Sequence, residues 1–319
     1  MKLIICGNGF DQHHRLPTNY TDYCMFLKLS YPKILRDMGF SDYFVGSSST
    51  LDCPSDRFWT DVEKHLTYDF IGHLDNALEE YRPNMMDENP DYDEVAVRAE
   101  DGLGMLKDFT GEPFYEWLLS IPVHNAIKSS AFVLSPDDYY VTFNYTDTLE
   151  IVYGIPRDHI LHIHGSIHDV SLTNANFVSD EARMRVHDGD VHKVIQFGNP
   201  FESEQKVHEA LRKHYQDSED WYLVQSAFVK LAKTCGAMSK NLKSNYNTLQ
   251  NFLKDKNITE ISIMGHSFLG VDKAYYDDIW IKQFQCVPWT FYWYSKEDFD
   301  KIQEAKSVFG LSNVTPIKW

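Results

Sequence analysis

The chain has 319 residues, with 47 acidic and 30 basic side chains and a formal net charge of −17. Its length suffices for one large domain or two small ones, and a hydrophobic content of 43% allows a sizeable core. The acidic balance, with no basic patch along the sequence, argues against direct contact with nucleic acid or with anionic membranes.

Cysteine usage and hydropathy indicate the setting of the protein. The five cysteines lie far apart, with no C-x-x-C pair, at Cys6, Cys24, Cys53, Cys235 and Cys286. This scatter predicts reduced thiols and a cytoplasmic location, and it argues against a zinc ribbon. The apolar run at the amino terminus is too short for a signal peptide, and no later run approaches the length of a membrane span.

Six short apolar and β-branched runs predict strands, and most end at a glycine or a polar turn. In chain order they cover residues 3–6, 139–143, 160–164, 194–197, 261–264 and 289–294. Helices are predicted after the turn at 16–18, over 58–81, about 103–131 and about 202–255, and over 297–308. The alternation predicts an α/β fold with a mostly parallel, Rossmann-like sheet and helices on both faces.

The helical stretches over residues about 41–131 and 202–255 are interpreted as insertions into a single Rossmann-like domain that spans 1–319. We expect them to form a cap or an oligomer surface. Ligands of such folds bind beyond the carboxyl ends of the strands. Four strand ends carry polar residues here, at 7–11, 144–147, 162–165 and 265–267.

The first strand ends at Gly7-Asn8-Gly9-Phe10-Asp11. Two glycines let the backbone approach a phosphate, and the helix amino terminus that follows favours an anion. A tight strand-to-helix turn explains the glycines equally well. Asp11 would repel a phosphate, and it suits a ribose hydroxyl or a developing positive charge better.

The second strand end carries Thr142 and Asn144, which strand alternation places on one side. An asparagine side chain both donates and accepts, which suits a carboxamide or a positioned water. The alternative is an Asx turn that closes the strand.

The motif His162-Ile163-His164-Gly165 is expected to place two imidazoles on one strand face. A general base at the strand end is one interpretation, with His164 beside the glycine as the stronger candidate. A metal pair is another, with His168 and Asp169 as the nearest further ligands. A structural histidine bonded to backbone is the third, and it applies to at least one of the two.

The motif Gly265-His266-Ser267-Phe268-Leu269-Gly270 does not fit a serine hydrolase. The nucleophile elbow needs glycine where Leu269 stands, and no histidine follows His266 to complete a triad. A glycine turn with a hydroxyl directed at a phosphate or ribose remains.

As an ordered set, these motifs resemble the bacterial abortive-infection AbiH family of phage defence, from residue 1 to about residue 276. The motifs are Gly7-Asn8-Gly9-Phe10-Asp11 with Leu16-Pro17-Thr18, Phe143-Asn144-Tyr145-Thr146 with Leu149-Glu150, His162-Ile163-His164-Gly165, and Gly265-His266-Ser267 with Asp272. The set is also remotely similar to the NAD site of the sirtuin-like superfamily, although Thr146 stands where sirtuins carry an aspartate, with Asp147 adjacent.

The sirtuin-like resemblance implies catalytic places for Asn144 and His164, with Asp11 or Asp147 facing the charge that develops on the ribose. It implies nucleotide contacts from Gly7, Asn8, Gly9, Phe10, Thr142, Gly198, Asn199, Gly265, His266 and Ser267. The expected function is hydrolysis of NAD, as substrate, to nicotinamide and ADP-ribose without a metal. The alternatives are a non-catalytic nucleotide sensor in a defence assembly and a metal-dependent nuclease toxin. Expected partners are a small-molecule nucleotide and either a second copy of the chain or a defence partner protein.

Overall fold

The computed structural model describes residues 1–37, 62, 75, 78–80, 94, 97, 108–169, 191, 195–196, 209, 212–215, 229, 242–269 and 272–319. The chain forms two compact units. The first comprises Met1–Asn19, Leu118–Asn176 and Asn241–Trp319, and the second comprises Tyr20–Trp117 and Phe177–Lys240. The stretches predicted as insertions fall mostly within the second unit.

The first unit contains a six-stranded sheet in the order β3-β2-β1-β4-β5-β6, in which every neighbouring pair is parallel. The strands are β1 Lys2–Cys6, β2 Tyr139–Thr142, β3 Ile160–His162, β4 Glu260–Met264, β5 Trp289–Trp293 and β6 Val314–Lys318. The chain builds outward from β1 in one direction and then in the other, so the strand order reverses between β1 and β4. This is the doubly wound Rossmann order, and it confirms the predicted fold class.

Helices alternate with these strands in the described parts of the chain. They are α1 Asn8–His13, α2 Tyr20–Ser30, α3 Pro32–Asp37, α4 Glu112–Ser120, α5 Thr148–Tyr153, α6 Leu242–Leu253, α7 Lys273–Tyr275, α8 Ile281–Phe284 and α9 Lys296–Val308. A π-helical segment, Tyr276–Trp280, joins α7 to α8, and short 3₁₀ turns occupy Val123–Asn125 and Arg157–His159. None of the described helices is long and apolar enough to span a membrane.

Each face of the sheet has its own apolar core. Leu3 of β1 shares one buried cluster with Leu249 of α6 and Ile302 of α9. Ile4, the next residue, belongs to the other cluster with Phe10 of α1. Because successive strand residues face opposite sides, a strand covered on both faces is apolar throughout. This is why β1 shows no polar alternation in the sequence.

Two strand predictions differ from the structure. Residues 195 and 196, the described part of the run at 194–197, are not in a strand. Conversely, β6 is not predicted from the sequence, because Pro316 interrupts it and most of its residues are exposed. Proline lacks the N–H group that an internal ladder needs, but an edge strand tolerates it.

The predicted helix over about 103–131 is shorter in the structure. Within the described residues α4 ends at Ser120, and Pro122 follows two residues later. A proline cannot continue the helical hydrogen bonds, so the chain leaves the helix there. The predicted carboxyl-terminal helix is confirmed as α9, which begins with a capping box between Ser295 and Asp298.

The second unit places aromatic rings around Tyr23 of α2. Its ring contacts those of Phe109, Phe114 and Trp117, and its hydroxyl donates to the carbonyl oxygen of Phe109. The neighbouring Cys24 is disulfide-bonded. The prediction that all thiols are reduced is therefore wrong at this position, because sequence separation does not report which thiols meet in space.

Candidate functional site

Two glycine turns interlock where the strand order reverses. The Gly9 N–H donates to the Gly265 carbonyl oxygen at 2.8 Å, and the Gly7 N–H donates to that of Met264 at 3.1 Å. Gly265 has a φ of +61°, and a Cβ added there would lie 2.2 Å from the Phe10 nitrogen. Only residues without a side chain let these two backbones approach so closely.

The backbone amides that the sequence suggested for phosphate binding already donate hydrogen bonds within the two turns. Besides the Gly7 and Gly9 donors, the Phe10 N–H donates to the Gly7 carbonyl oxygen at 2.8 Å. The tight-turn interpretation therefore accounts for the glycines of this motif. The side chain of Asn8 is also engaged, since its Nδ2 donates to the Thr18 carbonyl oxygen at 3.0 Å.

Asp11 lies within α1, and its carboxyl group is buried, with 1% of the residue's surface exposed. Its Oδ2 accepts a hydrogen bond from the Thr146 hydroxyl at 2.5 Å, and its buried Oδ1 has no hydrogen-bond partner among the described residues. Burial raises the pKa of Asp11 to about 6, against the opposing effect of hydrogen bonds from Thr146 and Thr148. The carboxyl group is therefore mostly ionised at neutral pH, but its burial in the ionised form lowers the stability of the folded protein.

Asn144 lies in the same network as Asp11. Its Nδ2 donates to the Gly7 carbonyl oxygen at 3.1 Å, and its backbone N–H donates to the Thr142 hydroxyl at 3.1 Å. The second contact closes the carboxyl end of β2 locally. Asn144 thus ties the ends of β1 and β2 together.

His162 continues this network on the face of the sheet that carries α5. Its Nδ1 lies 3.0 Å from the Asn144 carbonyl oxygen, and its Nε2 lies 3.0 Å from Glu150 Oε1. Glu150 also accepts from Arg157 Nη1 at 2.5 Å. Burial alone would raise the pKa of Glu150, but the hydrogen bonds from His162 and Arg157 hold it below its ordinary value.

Asp147, Glu150 and His162 form the one described group whose ligand atoms have metal-like spacing, all within 4.8 Å of one another. The guanidinium of Arg157 already supplies positive charge there, since its Nη1 also lies 3.8 Å from Asp147 Oδ1. A cation would have to displace Arg157 or share these carboxylates with it. The arrangement is therefore that of an ion-pair network.

His164 lies in a different network from His162. Its Nε2 is 3.2 Å from the Tyr275 hydroxyl, which also accepts from Asn245 at 2.8 Å. Tyr275 belongs to the apolar cluster on the opposite face from His162. The prediction that both imidazoles share one strand face is wrong, because β3 ends at His162 and the chain then turns at Gly165, with φ at +87°. No metal pair of these two imidazoles forms.

Asp272 lies between two imidazoles. Its Oδ1 is 3.9 Å from His164 Nε2, and its Oδ2 is 3.3 Å from His266 Nε2. The other ring nitrogen of His266 lies 2.8 Å from the Tyr276 hydroxyl. The Phe143 ring contacts both imidazoles, with centroid separations of 5.0 Å to His164 and 3.9 Å to His266. The Asp272 carboxylate thus faces two buried histidines.

A pocket of about 650 Å³ opens beside the glycine turns, at the carboxyl ends of β1, β4 and β5. This volume lies in the range of small-molecule sites. Residues that line it include Gly9, His13, Arg15, Gly265, His266, Ser267, Tyr292, Tyr294, Asp298, Lys301 and Trp319. It therefore combines cationic, hydroxyl and aromatic side chains in one cavity.

The structure distributes the predicted site residues over several places, and Asp147 lies with Glu150 and His162 in the ion-pair network. Those that line the pocket are Gly9, Gly265, His266 and Ser267. Asp11, Thr142 and Asn144 are buried beside it, whereas His164 belongs to the Asp272 network. Phe10 packs into the core against the rings of His14, Phe132 and Tyr153. Gly198 and Asn199 lie outside the described residues.

Several site residues are not predicted from the sequence. Glu150 and Asp272 appear there only as companions of the motifs, yet each bonds or faces a motif histidine. Arg15 and Tyr294 line the pocket without belonging to any motif. A periodicity or motif cannot reveal such residues, because only the tertiary fold brings them to the cavity.

Residues 3–293 match the family model described as Bacteriophage abortive infection AbiH, which is nearly the whole chain. No curated protein and no solved structure matches the chain.

Proposed function

The chain belongs to the AbiH family of bacteriophage abortive-infection proteins, as its motifs indicate, and from this premise we propose that it is a phage-defence protein that binds NAD and hydrolyses it to nicotinamide and ADP-ribose. The observation that carries the nucleotide part is the position of the pocket. It lies beside the point where a doubly wound sheet reverses its strand order, and such folds bind nucleotides at that crevice.

The hydrolytic part rests on the side chains around the neighbouring strand ends. Breaking the bond between nicotinamide and ribose leaves positive charge on the ribose, which the ionised Asp11 carboxylate can stabilise. The bonding pair leaves with nicotinamide, water bonds to the ribose carbon, and His164 accepts a proton from that water. Asn144 would orient the carboxamide or the water.

Burial places a condition on this reaction. Asp11, Asn144 and His164 are only 1%, 8% and 2% exposed. A substrate bound in the pocket reaches them only if the strand ends open, so turnover requires a conformational step. Such a step suits a defence protein, because an enzyme that was always active would exhaust the NAD of its host.

The same burial favours the sensor alternative, in which the pocket binds a nucleotide and no chemistry follows. The nuclease alternative has less support, because Arg157 occupies the carboxylates of the described metal-like group and the chain carries a net charge of −17. Two parallel assays separate the three functions. Purified protein, and lysate of phage-infected cells that express it, are incubated with NAD or with nucleic acid, with and without EDTA, and tested for free nicotinamide or for cleaved nucleic acid.

Nicotinamide release that EDTA leaves unchanged, and that His164→Ala lowers by roughly 10²–10⁴-fold, is the expected result. The exposed His124 provides the control variant His124→Ala, which should keep full activity. NAD binding without release in either preparation would identify a sensor. Cleavage of nucleic acid that EDTA abolishes, without nicotinamide release, would instead favour the metal-dependent nuclease.

A further inference from the structure

Arg15 occupies a backbone conformation that favours glycine. It follows α1 with a φ of +60°. Its N–H donates to the Gln12 carbonyl oxygen at 2.8 Å, and the Leu16 N–H donates to that of Asp11 at 3.1 Å. These two bonds define a Schellman motif, in which the left-handed residue is usually glycine because a side chain is strained there. The sequence carries the longest basic side chain at this position instead.

The Arg15 side chain has no competing partner. It is exposed and makes no hydrogen bond or ion pair with any residue in the described part of the chain. Among the described lining residues, Lys301 is the other lysine or arginine, and it is already paired with Glu297 of its own helix at 2.8 Å. Arg15 is therefore the cation of this cavity whose donors are available to a ligand.

Three amides of the first glycine turn are engaged within the protein. The amides of Gly7, Gly9 and Phe10 all donate to carbonyl oxygens within the interlocked turns. These amides are not available to a phosphate in the pocket, whereas the Arg15 guanidinium provides several donors in a planar fork that matches phosphate oxygens.

We propose that Arg15 is the phosphate-binding residue of the pocket and binds the pyrophosphate of a nucleotide, in place of the glycine-turn amides. This inference rests on the proposed nucleotide function and specifies how the site recognises its ligand. The strained backbone at Arg15 is then the structural cost of holding a cation over the cavity, where glycine would be more stable but could bind nothing.

The test is isothermal titration calorimetry of the protein with four probes, NAD, ADP-ribose, inorganic pyrophosphate and adenosine, and it measures the dissociation constant of each. Arg15→Gly should weaken binding of the first three by roughly ten- to hundredfold, because it removes charge-assisted hydrogen bonds. Adenosine, which lacks phosphate, should bind as it does to the wild type. The variant should melt no lower than the wild type, because glycine fits this backbone conformation. Lys306→Met, which removes an exposed cation from α9, is the control and should change nothing.

The outcomes separate the two proposals. A wild-type protein that binds NAD together with an Arg15→Gly variant that binds it equally well would overturn the role of Arg15 and leave the nucleotide function standing. Loss of adenosine binding in the variant would also overturn it, since the effect would not be on phosphate. A wild type that binds none of the four probes would overturn the nucleotide function and the inference with it. Arg15-dependent binding of pyrophosphate without binding of NAD would overturn only the choice of NAD.

Discussion

Replacing Asp11 with asparagine should remove a pH dependence of stability that the buried carboxyl group creates. The pKa of Asp11 is about 6 in the folded protein, against an ordinary value of 3.8. A raised folded pKa means that folding binds a proton. The stability that protonated Asp11 contributes is therefore fully present below pH 3.8, and it is lost as the pH rises through about 6.

The size of the effect follows from the same two pKa values. Their difference corresponds to about 3 kcal/mol in total, and about 2 kcal/mol of it falls between about pH 4.5 and pH 7.5. The asparagine side chain cannot titrate, so the unfolding free energy of Asp11→Asn minus that of the wild type should rise by about 2 kcal/mol across this interval. A lost or gained hydrogen bond to Thr146 shifts this difference by the same amount at every pH, and it cancels.

Urea titrations at a series of pH values measure this difference directly. Asp300→Asn, on the exposed surface of α9, is the matched control, and its difference from the wild type should stay nearly constant. A flat difference for Asp11→Asn would refute the reasoning, because it would mean that the Asp11 carboxyl group is hydrated or otherwise compensated in the folded protein.

Two further changes test the packing of the site. Gly265→Ala should lower the free energy of unfolding, measured by urea titration, by at least about 3 kcal/mol, because its Cβ would lie 2.2 Å from the Phe10 nitrogen. Gly154 is also left-handed, but a Cβ there would meet nothing within 4 Å, so Gly154→Ala should lower it by only about 1–2 kcal/mol. Equal losses for the two variants would show that the turns do not interlock. His162→Ala should lower the unfolding free energy by about 2–4 kcal/mol, since it removes two buried hydrogen bonds, and an effect as small as that of the exposed His124→Ala would contradict the network.

The sequence locates most of the sheet because buried parallel strands are apolar runs with glycine or polar turns at their carboxyl ends. This rule finds β1 and β4, but it does not show that they are neighbours in the sheet, which only the strand order reveals. It does not show why Gly265 must be glycine, because the clash arises with Phe10, a residue from the other end of the chain. The rule also does not predict β6, because this exposed edge strand contains Pro316 and has no apolar pattern.

The candidate site is less predictable than the fold. Strand alternation fails for the pair of His162 and His164, because alternation holds only while the chain remains extended and β3 ends between them. Arg15 shows no sequence signal, since its left-handed conformation follows from the cap of α1 and from the tertiary position of that cap. Both errors concern residues just beyond the end of a regular element.

The pairing of β1 with β4 also bears on how the protein can be made. Ribosomes deliver β1 first, yet its Lys2 pairs with Glu260, and the Gly9 turn is completed only by Gly265. During synthesis, β1 therefore cannot pair with β4 until the chain has been translated beyond residue 264. Products of interrupted translation lack one side of the pocket altogether.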